Sequence, residues 1–213
     1  LYLAMEYLPA GDLFHYVCEY ERLVEDDCRE IVSQIVSGLA LMHAEGFAHR
    51  DVNPKNILIN RHPQGDNPGS WWVKLADFGI SKRLGTDTNA TTYIPGTRLY
   101  MAPELIDQDS INPPRNDYLK ADVWSLGITA FFILTKNIPF PNTSSIQGYG
   151  RNPDVSFPYG LLDHHQVSEA GQAFIREVTK PFPNERRGAE EARHLEWIKD
   201  FLPEIPILGT TSR

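Results

Sequence analysis

The chain has 213 residues, 41% of them hydrophobic, and a formal net charge of −8. That length suits one domain or a part of one, and the apolar fraction is enough to build a core. The acidic balance argues against a nucleic-acid-binding face, which would be basic. Cys18 and Cys28 stand ten residues apart outside any CxxC pattern, so they read as reduced thiols rather than a disulfide or metal pair. An intracellular setting, cytoplasmic or nuclear, is expected. The most apolar run, 123–134, is shorter than the about 20 residues a membrane span needs, and reads as a buried helix. No membrane partner is expected.

The chain opens on Leu1-Tyr2-Leu3-Ala4-Met5-Glu6-Tyr7, an alternating strand pattern without an initiator methionine, which suggests an excised fragment. Pro9-Ala10-Gly11-Asp12 breaks the strand and caps a short helix over 13–19. An acidic cluster, Glu25-Asp26-Asp27, precedes Ile31, Val32, Ile35, Val36, Leu39 and Met42. Spacings of three and four place these on one face of a long helix, whose positive end the acids complement. Gly46 ends it, in a position typical of a helix stop.

Two short strands are expected over 57–60 and 72–75, with Ile57 and Ile59 turned into the core. The intervening stretch, rich in Pro, Gly and Asn, reads as a surface loop. A long polar segment follows from Asp77 to Glu104, then a loop over 107–116. A central helix over 118–136 is apolar on nearly all faces, as a helix inside a bundle must be. Residues 141–165 are weakly patterned, so only loops and one short helix are expected there. A helix starting near Ser168 carries Ala173, Phe174, Ile175 and Val178, and Pro181 and Pro183 break it. A last helix is expected over 190–200, then a loose tail over 203–213.

The chemistry concentrates in His49-Arg50-Asp51-Val52-Asn53-Pro54-Lys55-Asn56, answered by Asp77-Phe78-Gly79 and by Ala102-Pro103-Glu104. Any one of these short strings is weak evidence, since a lone Asp-Phe-Gly is often only a turn. Their order and separation carry the signal. Together they resemble the catalytic loop, metal-binding loop and activation-segment end of eukaryotic protein kinases of the serine/threonine type.

The resemblance implies a mainly α fold, the protein-kinase-like C-terminal lobe: a helical bundle around a buried central helix, with short β-hairpins at the catalytic cleft. It divides the chain into the last N-lobe strand and hinge (1–8), the C-terminal lobe (9–202) and the tail. ATP and Mg2+ are the implied cofactors, and a protein is the implied substrate. Asp51 is assigned to the acceptor hydroxyl, and Asn56 and Asp77 to magnesium. Met5 falls at the gatekeeper position, backbone groups of Glu6 and Leu8 bond the adenine, and Leu58 forms its floor. Asp12, grouped with the cofactor-binding residues, attracts a basic substrate residue upstream of the phosphoacceptor. His49 and Phe78 pack beneath the site, and Gly79 supplies the turn that delivers Asp77. Thr97 bonds the catalytic aspartate. Arg50 pairs with a phosphorylated residue among Thr91, Thr92 and Tyr93. Asp122 holds the backbone of the His-Arg-Asp turn, and Glu104 pairs with Arg186, with Arg187 as the second candidate.

Two departures stand out. The lysine that serine/threonine kinases usually carry two residues after the aspartate is Asn53 here, and Lys55 is the candidate to restore the missing charge. The chain also contains no glycine-rich loop, strand lysine or helix glutamate of the N-terminal lobe. The N-terminal lobe is therefore an expected missing partner, and the piece alone is expected to have negligible activity. A pseudokinase scaffold is the alternative, and a small-molecule phosphotransferase of kinase-like fold a more distant one.

Overall fold

The computed structural model describes residues 6–20, 23–63, 70–78, 82–83, 97–106, 117–152 and 154–201. Helices dominate them. In chain order the elements are α1 (Leu13–Glu19), α2 (Glu25–Ala44), β1 (Phe47–Ala48), β2 (Ile57–Arg61), β3 (Trp72–Leu75), β4 (Lys82–Arg83), α3 (Pro103–Ile106), α4 (Asp117–Thr135), α5 (Thr143–Arg151), α6 (Gly160–His164), α7 (Glu169–Val178) and α8 (Ala189–Arg193).

Helix α4 is the axis of the bundle. Val123, Trp124, Leu126, Ile128, Ala130, Phe131 and Ile133 are all fully buried, so every face of the helix meets protein. By length and composition, 118–135 would suffice to cross a membrane, but 83% of that stretch is buried inside the bundle. Packing against α2, α6, α7 and α8 accounts for its hydrophobicity. At Gly127 a Cβ would come within 2.6 Å of the Thr179 side chain, so glycine is what lets the end of α7 approach the axis.

Helix α2 buries one face through Cys28, Ile31, Val32, Ile35, Val36 and Leu39. Gly46, at φ +78°, turns the chain out of the helix in a conformation that favours glycine. The next residues form β1, which pairs antiparallel with β4. The second hairpin pairs β2 with β3, with Ile57 opposite Leu75 and Ile59 opposite Val73. Ile57 and Ile59 are fully buried while Leu58 is half-buried, as strand alternation requires.

Three expectations need correction. Residues 6–8 are not in a strand, while 1–5, including Met5, lie outside the described residues. The weakly patterned stretch contains two helices, α5 and α6. Helix α5 buries only Ile146 and Tyr149 and is held at its start by an Asn142–Ser145 capping box, which leaves little apolar periodicity to read. The last helix stops at Arg193. After a turn, the adjacent Trp197 and Ile198 both enter the core. The Trp197 indole there donates to Glu25 Oε1 at 2.7 Å.

Candidate active site

The site is built on a buried carboxylate. Asp122 enters from the first turns of α4 with its side chain 1% exposed. Its Oδ1 accepts the backbone N–H of Arg50 at 2.7 Å. Its Oδ2 accepts the backbone N–H of His49 at 2.8 Å and His43 Nε2–H at 2.9 Å. A buried carboxylate needs such partners, because desolvation without them costs several kcal/mol. The arrangement fixes the turn that delivers Asp51. Arg50 itself sits at φ +74°, a left-handed conformation costing a non-glycine residue about 1 kcal/mol. The two N–H bonds from adjacent residues offset that strain.

His49 is fully buried. Its Nε2–H donates to the Ala76 carbonyl at 3.1 Å, and its Nδ1 accepts the Asp51 N–H at 3.3 Å. Both bonds require the neutral Nε2–H tautomer. Burial holds the imidazole below its ordinary range, outweighing the opposing pull of Asp122 and the Ala76 carbonyl. The ring also meets Phe78 edge-on, with centroids 5.2 Å apart. His49 thus ties the loop 49–56 to the segment carrying Asp77, and Ala76 N–H donating to the Asn56 carbonyl at 2.8 Å ties it again. Asp77 follows at φ +62° with an exposed side chain, and Phe78 is 55% exposed.

The Asp51 carboxylate is gripped from two sides. Asn56 Nδ2 donates to Oδ2 at 2.8 Å and to the Asp51 carbonyl at 2.8 Å. Asn53 Nδ2 donates to Oδ1 at 2.9 Å and to the same carbonyl at 3.1 Å. Asn53 Oδ1 accepts the Lys55 N–H at 3.0 Å and so caps the 3-10 turn Pro54–Asn56. Asn53, 4% exposed, is therefore a positioning residue for Asp51. Its residue type alone gave no sign of that role, and it entered the sequence reading only as a missing lysine. His43 was also missed; its one available signal is its place on the last turn of α2, six residues before His49.

Because Asn56 spends Nδ2 on Asp51, its Oδ1 is the atom left to act as a ligand. That oxygen and the Asp77 carboxylate are hard donors of the kind magnesium prefers, so the donor chemistry fits the implied metal. No cluster of three or more His, Cys, Asp or Glu suited to a metal exists among the described residues. A metal here would depend on this Asn–Asp pair, with phosphate oxygens and water completing the shell.

The Leu8 carbonyl accepts the Gly11 N–H at 3.2 Å, and Gly11 O accepts the Ile59 N–H at 2.9 Å. Glu6 pairs with Lys74 at 2.6 Å. Asp12 is the N-cap of α1, its carboxylate engaged by His15 N–H at 3.0 Å and by His15 Nδ1 at 2.7 Å. Leu58 bridges to Asp12. The Lys55 ammonium lies 4.9 Å over the Phe14 ring and the Arg50 guanidinium 5.0 Å over that of Tyr118.

Away from the cleft, Arg186 is 1% exposed and makes a two-pronged pair with Glu104, at 2.8 and 3.1 Å. Its remaining donors reach the carbonyls of Lys180, Lys120 and Pro181. Gly79, Thr91, Thr92 and Tyr93 lie outside the described residues. Thr97 opens a 3-10 turn, Thr97–Tyr100, with its side chain outside them too.

Comparison with known proteins agrees with this geometry. The family described as protein kinase domain matches residues 1–198. The chain is 35% identical over 205 residues to serine/threonine-protein kinase RAD53 of Saccharomyces cerevisiae, covering 93% of this chain and 24% of that protein. It is 31% identical over 199 residues to serine/threonine-protein kinase cds1 of Schizosaccharomyces pombe, covering 93% and 41%. A crystal structure of the Rad53 kinase domain and SCD2 in complex with AMPPNP matches with a TM-score of 0.72 at 31% identity, over 92% of this chain and 68% of that one. The chain thus spans less than half the length of these two curated relatives. The chain belongs to the eukaryotic protein kinase domain family, in its serine/threonine class.

Proposed function

We propose that this chain supplies the catalytic loop and activation segment of an intracellular, ATP- and magnesium-dependent kinase that phosphorylates serine or threonine hydroxyls of proteins. The observation that carries the reading is the Asp51 carboxylate, held by Asn53 and Asn56 on a loop whose backbone is pinned to buried Asp122. Phosphoryl transfer asks little covalent work of a protein and depends on positioning and charge. Asp51 orients the acceptor hydroxyl and takes its proton. Asn56 and Asp77 hold magnesium, which when bound neutralises phosphate charge.

The chain is read as the C-terminal lobe, with the grip on the ATP phosphates supplied by an N-terminal lobe. Residues 1–213 alone then transfer phosphate at a negligible rate. The test is ATP- and magnesium-dependent labelling of a serine/threonine peptide, by residues 1–213 and by a form extended with such a lobe. Transfer by the extended form that Asp51→Asn abolishes supports the assignment, and transfer that survives the substitution at full rate overturns it.

One observation favours a second reading, a pseudokinase scaffold. Asn53 is neutral and faces Asp51, and Lys55 lies over Phe14. An extended form that binds ATP and partners but transfers nothing would establish the scaffold.

A further inference from the structure

Lys55 stands apart from the other described lysine side chains. Lys74, Lys120, Lys180 and Lys199 pair with glutamates, and Lys136 donates to the Tyr20 carbonyl. Lys55 is exposed and its ammonium makes no ion pair or hydrogen bond among the described residues. It rests on the Phe14 ring at 4.9 Å. A cation over an aromatic face is held in place without being neutralised. The neighbouring acid does not claim it either: Asp12 is turned to its own helix, bonded by His15 N–H and His15 Nδ1.

Nor does Asp51 draw Lys55 inward. Both carboxylate oxygens are already bonded, Oδ1 by Asn53 and Oδ2 by Asn56. The 3-10 turn Pro54–Asn56 that carries Lys55 packs against α1, which carries Phe14. The cation is therefore displayed beside Asp51 on one short turn, since Asn53 both accepts the Lys55 N–H and holds the Asp51 carboxylate. A peptide whose hydroxyl meets Asp51 brings its neighbouring residues past this turn.

We propose that Lys55, seated on Phe14, selects protein substrates that carry an anionic side chain, carboxylate or phosphate, within a few residues of the phosphoacceptor. The inference rests on the phosphotransfer reading above and assigns Lys55 to the peptide rather than to the transferring phosphate. An exposed ion pair of this kind changes an equilibrium by up to about fivefold, and reversing the charge adds repulsion of similar size.

The test uses the full-length protein and a peptide series around one serine, with alanine, aspartate, phosphoserine or lysine at each flanking position. Two readouts are taken: kcat/KM for transfer, and the Kd of each peptide measured without ATP. Wild type should favour aspartate over alanine by about threefold to fivefold at one or two positions, and phosphoserine more strongly. Lys55→Glu should invert the order in favour of lysine, moving the acidic-to-basic ratio by at least about tenfold, and Phe14→Ala should weaken the preference. A preference confined to phosphoserine narrows the anion to phosphate. Ratios unmoved by Lys55→Glu in both readouts, with one common drop in kcat for every peptide, would place Lys55 on the transferring phosphate and overturn the proposal. The Kd series separates the two failures: an acidic preference that Lys55→Glu inverts in Kd, with transfer to no peptide, supports the recognition site and removes the kinase reading.

Discussion

The side-chain amide of Asn53 donates to Oδ1 of Asp51 at 2.9 Å, at the position where a lysine was expected. The same amide reaches the Asp51 carbonyl, and its oxygen caps the following turn. Asn53 therefore contributes rigidity to the loop carrying Asp51 where a lysine would contribute charge. Asn53→Ala should leave those groups without their partner, at a cost of about 1–3 kcal/mol in stability. It should also lower kcat roughly tenfold by freeing Asp51 to rotate. Urea unfolding and steady-state kinetics on the same preparation check both, and an unchanged kcat would show that Asn56 alone orients Asp51.

Asp51→Asn keeps the shape of the side chain and removes its basicity. Transfer should fall by about 10²–10⁴-fold, the range associated with general acid–base groups. Single-turnover measurement with saturating ATP isolates this step from product release. Thermal stability should also fall, by about 1–3 kcal/mol, because the single amide oxygen can accept from Asn53 or Asn56 but not both, and the new NH2 faces the other donor.

Asp122→Ala should act far from the substrate and yet be severe. It strips the acceptor from the N–H groups of His49 and Arg50 and from His43. Each orphaned buried donor costs about 1–3 kcal/mol. The variant should unfold at clearly lower urea concentration, and any folded fraction should transfer poorly because Arg50 loses the bond that holds it at φ +74°.

Arg186 and Glu104 lend themselves to a double-mutant cycle. Arg186→Met leaves Glu104 without its cationic partner, and about 3 kcal/mol of destabilisation is expected for breaking a pair this buried. Glu104→Gln should cost less, since the amide oxygen still accepts. The double variant should recover part of the loss, giving a coupling energy of about 1 kcal/mol or more. Additive losses would show that the carbonyl contacts of Arg186 matter more than the ion pair.

His49 sets a pH dependence. Burial keeps its imidazole neutral in the folded protein, below its ordinary value. The unfolded chain takes up a proton below about pH 6.5 that the folded one refuses. The His49 contribution to stability should decline as the pH falls below about 6.5 and level off below the folded-state pKa. Urea unfolding from about pH 7.5 to 5 should show a smaller decline in His49→Gln than in wild type. Parallel slopes would assign the acid sensitivity to other groups.

The sequence by itself determined the helices with strong apolar periodicity, α2 and α7, and the buried axis α4. It also determined the order of the loop motifs, because periodicity and motif spacing are local properties of the chain. The β2–β3 hairpin was legible for the same reason. Helix α5 was not, since it buries only Ile146 and Tyr149 and so shows little apolar periodicity. Nor was the turn after α8, since the burial of Trp197 beside Glu25 answers to a neighbour distant in the chain. The resemblance already implied that Asp122 holds the backbone of the His-Arg-Asp turn; the tertiary structure showed which N–H groups it receives, those of His49 and Arg50, and added His43 as a third donor. It decided likewise that Asn53 grips Asp51 while Lys55 leans on Phe14. Residue type states what a side chain can bond; only packing, which fixes a rotamer against particular neighbours, settles which of those bonds is made.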